Sequence, residues 1–424
     1  APNARSTSFT IADGVFVTSQ QTLSSNETGT INSGGDLTTS SVTAIYANNA
    51  NNITVLNSGA ITTSGSGGVG IISNNNSGTG TITNSGTITT SGSTSWGIST
   101  YNSTGTNSKT NSGTIRTTGN YGIGIQSSED TNPTITNSGT ITTSGDYSYG
   151  IFLDQSAGTS TITNSDKIIT TGASGYGIWS TDNTGNSTIT NSGTITTSGT
   201  NGYGIYSNAN SGTETILNSG TITTSGEDAY GTYSFGNDDT ITFTNSGTIT
   251  TSGVLGFGFY SRNNEGTSTI LNSGTITTSG NAGYGIHAHL NSGTSTLTNS
   301  GTITTSGTSG YGIYARSNSG TETFTNSGTI TTSGQYGHGM YSKNQASGGI
   351  GTFTNSGTIT TSGDSSRGIY SNTNSGTITI LNSGTIMTSG SSNNYGMQSS
   401  ANSSTETLTN SGTITTSGAN GYGI

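Results

Sequence analysis

From residue 32 onward the sequence repeats one short motif at a nearly constant interval, and this period limits the folds that the chain can adopt. An Asn that opens Asn-Ser-Gly, or Asn-Ser-Asp at one position, marks the same place in fifteen successive units from Asn32 to Asn410, and most intervals between these positions are 27 residues long. A period of about 20 to 50 residues is typical of repeat architectures, in which each repeat packs against its neighbours. The period therefore favours a stacked fold over random low-complexity sequence.

The composition favours β-structure with a thin core. Hydrophobic residues make up 25% of the 424 residues, which is about half the share of an ordinary globular domain. Disordered chains are usually rich in charge and Pro, whereas this chain has 6% charged residues and two Pro. It is also dense in Thr, Ile and Tyr, whose side chains suit a pleated sheet.

One period, residues 187–213, contains three extended segments separated by turns rich in Gly, Asn and Ser. Segments this short and close together leave no room for helices between them. We therefore predict an all-β fold, a parallel β-solenoid of about fifteen coils with three short strands in each coil. Residues 26–424 are expected to form this single repeat domain, with an incomplete last coil, and residues 1–25 to cap its first coil.

Strand alternation predicts which side chains face the interior. Ile lies four residues after the repeated Asn in fourteen of fifteen units, and an apolar residue lies two before it, except at Lys109 and Thr30. The repeated Asn should then also point inward, next to its equivalents in adjacent coils. The alternative is that Asn-Ser-Gly only favours turns. The predicted asparagine ladder contains Asn84, Asn111, Asn137, Asn164, Asn191, Asn218, Asn245, Asn272, Asn299 and Asn326.

Two further expectations concern the corner that follows this Asn. The Gly two residues after it is expected to adopt a positive φ, which glycine tolerates best. Asp166 and Lys167 replace the usual Gly-Thr in one coil, which predicts one irregular corner.

The segment Asn-Ser-Gly-Thr-Ile-Thr-Thr-Ser-Gly and its copies resemble the β-solenoid passenger domains of bacterial autotransporter and filamentous-haemagglutinin-type adhesins. The resemblance covers residues 26–424. It implies a protein that is exported by a bacterium and displayed outside the cell or on its surface.

Several function classes are disfavoured. The net charge is −10, and eight Lys and Arg residues form no basic stripe, so we expect no nucleic-acid binding. No run of about 18 apolar residues is present, which predicts no membrane span. Titratable groups do not converge, so we expect no catalytic residues, no cofactor and no metal site. The pair His287 and His289 is interpreted as a surface pair rather than a zinc site.

Two repeated surfaces are candidates for binding. The first is a Thr array, for example Thr87 and Thr89 around the inward Ile88, which resembles the surface of β-solenoid ice-binding proteins. Thr is also simply a suitable residue for an exposed strand.

The second surface is an aromatic stripe in the third strand of each coil. Alternation predicts that the stripe faces outward while Tyr203 and Ile205 turn inward. The alternative is that the two faces are exchanged, because Gly precedes the inward Ile at Gly204 and Gly312. It is either an exposed patch that binds a partner or a stack that only reinforces the sheet. The stripe comprises Phe152, Trp179, Tyr206, Tyr233, Tyr260, Tyr314, Tyr341 and Tyr370, with His287 in one coil.

These observations predict a non-enzymatic extracellular rod or fibre that displays a repeated surface for adhesion, since repetition multiplies a weak contact. The alternative is a filament subunit that stacks head to tail through open terminal coils. Ice binding is a lesser alternative. The expected partner is therefore another copy of the chain, or a glycan or other ligand on a cell surface.

Overall fold

The computed structural model describes residues 8–403 and 405–424, and the chain divides into two units, Ala1–Tyr206 and Ser207–Ile424. All regular elements in the described residues are β-strands. Within each unit, successive strands join three parallel sheets in turn, here called sheets A, B and C. The prediction of an all-β parallel solenoid with about fifteen coils of three strands is confirmed.

In the first unit each sheet pairs strands from successive coils. Sheet A contains Phe9–Ile11, Thr28–Ile31, Ile53–Asn57, Gly80–Asn84, Thr106–Asn111, Asn132–Asn137, Ser160–Asn164 and Ser187–Asn191. Sheet B contains Phe16–Val17, Asp36–Thr39, Ala60–Thr63, Thr87–Thr90, Thr114–Thr117, Thr140–Thr143, Lys167–Thr170 and Thr194–Thr197. Sheet C contains Gln21–Leu23, Ile45–Asn48, Ile71–Asn74, Trp96–Tyr101, Ile123–Ser128, Tyr149–Asp154 and Tyr176–Thr181.

The second unit repeats the same arrangement. Sheet A contains Glu214–Asn218, Ile241–Asn245, Ser268–Asn272, Ser295–Asn299, Thr321–Asn326, Ile350–Asn355, Thr377–Asn382 and Glu406–Asn410. Sheet B contains Thr221–Thr224, Thr248–Thr251, Thr275–Thr278, Thr302–Thr305, Thr329–Thr332, Thr358–Thr361, Thr385–Thr388 and Thr413–Thr416. Sheet C contains Thr232–Phe235, Phe259–Arg262, Ile286–His289, Ile313–Arg316, His338–Lys343, Arg367–Asn372 and Tyr395–Ser400, and the sheet C strand Ile205–Asn208 includes residues of both units.

The segment expected to cap the first coil also contributes strands. Phe9–Ile11 pairs with Thr28–Ile31, and Gln21–Leu23 pairs with Ile45–Asn48, both in parallel. Its first seven residues lie outside the described part of the chain. The capping role itself stays a prediction.

Identical residues stack on one another because the register follows the repeat. In sheet B of the second unit, Ile276 pairs with Ile303 and Ile303 with Ile330, and all three side chains are fully buried. The Thr residues on either side of each Ile remain partly exposed. Each strand therefore contributes about one apolar side chain to the core. A sequence that is only one-quarter hydrophobic is enough to fill a core this narrow.

The repeated Asn side chains point inward and bond to one another along each unit. In the first unit the Nδ2 of each residue donates to the Oδ1 of the next at 2.6–2.8 Å, through Asn57, Asn84, Asn111, Asn137, Asn164 and Asn191. In the second unit the same bonds measure 2.7–2.8 Å, through Asn218, Asn245, Asn272, Asn299, Asn326, Asn355, Asn382 and Asn410. Asn32 is exposed and does not join, because Ile31 occupies the register position opposite Asn57.

The expectation of a positive φ at the corner Gly is wrong. Gly113, for example, is not among the residues with positive φ. A Cβ there would lie 2.0 Å from the carbonyl oxygen of Gly86 in the preceding coil, so close backbone approach is what favours Gly. Positive φ values occur instead at non-Gly residues in the other corners, such as Asn102 and Asn201.

The corner at Asp166 and Lys167 is regular, contrary to our prediction. Asn164 still donates to the Asp166 carbonyl, and Lys167 pairs in register with Thr140 and Thr194. The amide of Lys167 lies 3.2 Å from its acceptor, compared with 2.9 Å for the equivalent amide of Thr140. The side chain of Asp166 is accommodated at this corner, with one hydrogen bond to the preceding coil lengthened.

A second row of buried polar groups follows sheet C. In the second unit the Oδ1 of Asn264 accepts the backbone N–H of Asn237 at 2.9 Å, and Asn291 does the same for Asn264. In the first unit Asp130 takes this position and accepts the N–H of Ser103 at 3.0 Å. Asp130 also forms an ion pair with Lys109 at 3.2 Å, and neither side chain is exposed.

We expect Asn299→Ala to lower the free energy of unfolding of the second unit by about 1–3 kcal/mol, since Asn272 would lose its acceptor and Asn326 its donor. Amide hydrogen exchange in the neighbouring coils measures this loss. Asn281→Ala is the control, because Asn281 is exposed and only its side-chain oxygen accepts a bond. Equal protection in both variants would contradict a stabilising ladder.

Candidate binding surface

A repeated glycine in sheet C determines which neighbouring side chains lie on the outer face of that sheet. A Cβ at Gly312 would lie 2.3 Å from the Cγ2 of Ile330, so this position has no room for a side chain. The residues around it then divide between the two faces: Ile313 is buried, whereas Tyr311 is half-buried and faces outward with Tyr314. The same pattern repeats in neighbouring coils and produces two aromatic columns.

The two columns are defined by their place in the coil. In the second unit the first aromatic column comprises Tyr230, Phe257, Tyr284, Tyr311 and His338, and the second aromatic column comprises Tyr233, Tyr260, His287, Tyr314, Tyr341 and Tyr370. In the first unit the corresponding residues are Tyr149, Tyr176 and Tyr203, beside Phe152, Trp179 and Tyr206.

The faces of the rings in the two aromatic columns are covered by contacts with other rings. Within the first column, successive rings such as Tyr284 and Tyr311 stack 4.8 Å apart with 4° between their planes. Between columns the contacts are edge to face, as for Tyr311 and Tyr314 at 5.0 Å and 70°. Both geometries are favourable for aromatic pairs. Ring edges and hydroxyl groups, rather than ring faces, are therefore left for a ligand.

The predicted aromatic stripe is thus less exposed than expected. Its members Tyr233, Tyr260, Tyr314 and Tyr341 are only 5–7% exposed, because the first aromatic column covers them. Phe152, Trp179, Tyr206 and Tyr370 are half-buried. The expectation that Tyr203 turns inward is wrong, since it stacks on Tyr176 at 4.9 Å on the outer face, whereas Ile205 is fully buried as predicted.

A third column of the second unit carries positive charge. It lies two residues after the second aromatic column, and its members pair in register from coil to coil. We call it the cationic column, and it comprises Arg262, His289, Arg316 and Lys343. Arg316 is exposed, and Arg262 and Lys343 are half-buried. Three of the eight Lys and Arg residues of the chain therefore fall in four consecutive coils.

The charge of this column comes from Arg and Lys, not from His. The pKa of His289 is lowered to about 4, mainly by burial, and the positive charges of Arg316 and Arg262 contribute to the decrease. Burial likewise lowers the pKa of His287 well below its usual range. The hydroxyl of Tyr260 bonds the Nδ1 of His289 at 3.1 Å. Both imidazoles are therefore neutral at pH 7, and His289 contributes a polar but uncharged group to the cationic column.

Acidic residues are sparse around the cationic column. Between Glu265 and Asp364 the sequence contains one acidic residue, Glu322, and that side chain is 1% exposed. The chain as a whole carries a net charge of −10. The cationic column is consequently a local basic surface on an acidic protein.

The described residues contain no cluster of three or more His, Asp or Glu side chains that could hold a metal ion. His287 and His289 do share a face, with their rings stacked 5.4 Å apart, but His287 is also enclosed between Tyr260 and Tyr314.

The outer face of sheet B carries the predicted Thr array, with half-buried pairs such as Thr302 and Thr304 around Ile303.

Sequence reasoning missed the first aromatic column and the cationic column. Both were visible as fixed offsets in Phe257–Arg262, Tyr284–His289, Tyr311–Arg316 and His338–Lys343, where an aromatic ring or His begins each segment and a basic residue ends it. Strict alternation along the strand would place the ring of the first aromatic column inside the coil. The Gly that follows this ring interrupts the alternation, so the ring lies on the outer face instead.

The three parallel sheets define a β-solenoid that resembles the passenger domains of bacterial autotransporters. The profile of the BigA third pectate lyase-like domain matches residues 3–157, 153–290 and 261–378. This chain belongs to that family. The solved structure of the complex between Vag8 and C1 inhibitor is similar in fold, with a TM-score of 0.53, 13% sequence identity, and coverage of 96% of this chain and 98% of the other.

No curated protein shows significant sequence similarity to the chain. Among the described residues, no helix has the length and apolar character needed to cross a membrane.

Proposed function

We propose that this chain is a non-enzymatic, extracellular passenger that mediates adhesion through the outer face of sheet C. The passenger-type fold supports an extracellular bacterial protein. The observation that carries the proposal is the alignment of two aromatic columns and one cationic column over consecutive coils of the second unit. A surface that repeats one contact in each coil gains avidity from the repetition.

The absence of cysteine allows this face to be blocked selectively. We expect that Arg316→Cys, labelled with a polyethylene glycol maleimide, lowers the attachment of protein-coated beads to epithelial monolayers by about tenfold or more, since bulk there prevents multivalent contact. Counting the attached beads under flow measures this. Thr304→Cys with the same label is the matched control on sheet B, and we expect it to bind as the unlabelled protein does.

Unlabelled Arg316→Cys separates the loss of one charge from the effect of bulk. Attachment that both labels reduce equally, or that neither reduces, would contradict adhesion through sheet C.

The Thr array of sheet B supports ice binding as the lesser alternative, because its half-buried Thr pairs recur at a constant interval. Thermal hysteresis of the purified chain tests that alternative, and its absence removes it.

A further inference from the structure

We infer that the partner of the cationic column is an anionic polysaccharide that lies along the column, crossing successive coils. This inference rests on the proposed function and names the chemistry of its ligand. The packing of the aromatic rings provides the first step. Their faces are already occupied by other rings, so a ligand that needs to stack on an open aromatic face does not fit.

The second step is the chemistry of the groups that remain. Arg262, Arg316 and Lys343 supply cationic donors at register positions of neighbouring coils. His289 and the tyrosine hydroxyls beside it supply neutral polar contacts. Guanidinium and ammonium groups bind carboxylate and sulfate strongly, through charge-assisted hydrogen bonds. Neutral polar groups between charges suit the hydroxyls of a sugar chain.

The third step is charge density. The cationic column extends over three coil spacings, about 14 Å at the usual strand separation. Duplex DNA would place about eight phosphates along that length, at one per 1.7 Å, against three cations. A polysaccharide with one charge on every one or two sugar rings matches the column more closely. The acidic remainder of the protein would repel any denser polyanion, which further favours the polysaccharide.

Immobilised chondroitin sulfate and polygalacturonate are the sulfated and carboxylated probes, and dextran is the neutral one. We expect the full chain to bind at least one of the two anionic probes, and the double variant Arg316→Ser, Lys343→Ser to weaken that binding about tenfold, the effect of losing two charged contacts at the solvent-accessible surface. The matched control is Arg116→Ser, Lys167→Ser, which removes the same charge from exposed positions on sheet B. We expect it to leave the affinity unchanged.

Equal losses in the two double variants, binding to dextran as strong as to the anionic probes, or tighter binding to duplex DNA at the same salt concentration would each overturn the inference. Competition in the bead assay separates it from the proposed function. Beads that attach through sheet C but are not displaced by soluble chondroitin sulfate or polygalacturonate would leave adhesion standing and exclude this ligand. Displacement by either polymer supports both.

Discussion

Asp130→Ala is expected to destabilise the first unit by about 3–5 kcal/mol, because it leaves the buried ammonium of Lys109 without a counter-charge. In the intact protein the Nζ of Lys109 lies 3.2 Å from the Asp130 carboxylate and 3.0 Å from the Ser127 hydroxyl, and it also bonds Thr100. Burial lowers the pKa of Lys109, while the Asp130 carboxylate opposes this effect. Amide hydrogen exchange around these coils measures the loss locally, which suits a repeat array that need not unfold in one step.

The repeat itself supplies the control for this experiment. Lys109 pairs in register with Ile82 and Ile135, and other coils have Asn where this one has Asp130. We expect Lys109→Ile combined with Asp130→Asn to recover most of the stability, since replacing a buried ion pair by well-packed neutral groups is often neutral or better. A double variant as unstable as Asp130→Ala would show that the pair is not the cause.

Glu322→Gln is expected to stabilise the second unit at pH 8 and to have little effect at pH 4. Neither carboxyl oxygen of Glu322 has a hydrogen-bond partner in the described residues, and burial raises its pKa to about 8. Because the folded pKa is above the usual value of 4.5, the protonated form favours folding. The contribution of Glu322 to the stability of the fold is then greatest below about pH 4.5. This contribution falls as the pH rises towards 8, by about 1.4 kcal/mol for each unit of difference between the folded and unfolded pKa.

Comparing the variant and the parent at the same pH cancels the intrinsic pH dependence of amide exchange. Slower exchange around Thr321–Asn326 in Glu322→Gln at pH 8 is the expected result. Glu227→Gln, at an exposed position of the same unit, should show no such difference. An effect of the same size at both values of pH would mean that ionisation of Glu322 does not govern the change.

The fold was predictable because period, strand length and the inward Ile positions all point to one architecture. The inward direction of the repeated Asn followed from its offset of two residues from an apolar position. The outer face of sheet C was not predictable in the same way. Alternation fails at Gly312, where the side chain of Ile330 from another sheet fills the space of a Cβ, and such contacts between sheets leave no local signal.

The Lys109–Asp130 pair was missed for a related reason. Each residue was visible as an exception to its own repeat position, but the two positions lie on different strands and corners of the coil. Only the tertiary structure brings them within 3.2 Å. Their occurrence in neighbouring repeats was the available signal, since a buried charge requires a partner.

The register of identical residues has a consequence for how such genes change in length. Asn272, Asn299 and Asn326 make the same bonds to the coils on either side. Deletion of residues 273–299 would bring Asn272 next to Asn326 with every strand still facing an equivalent partner. Unequal recombination between near-identical repeats can therefore shorten or lengthen a unit by whole coils, about 4.8 Å at a time, without creating a new interface.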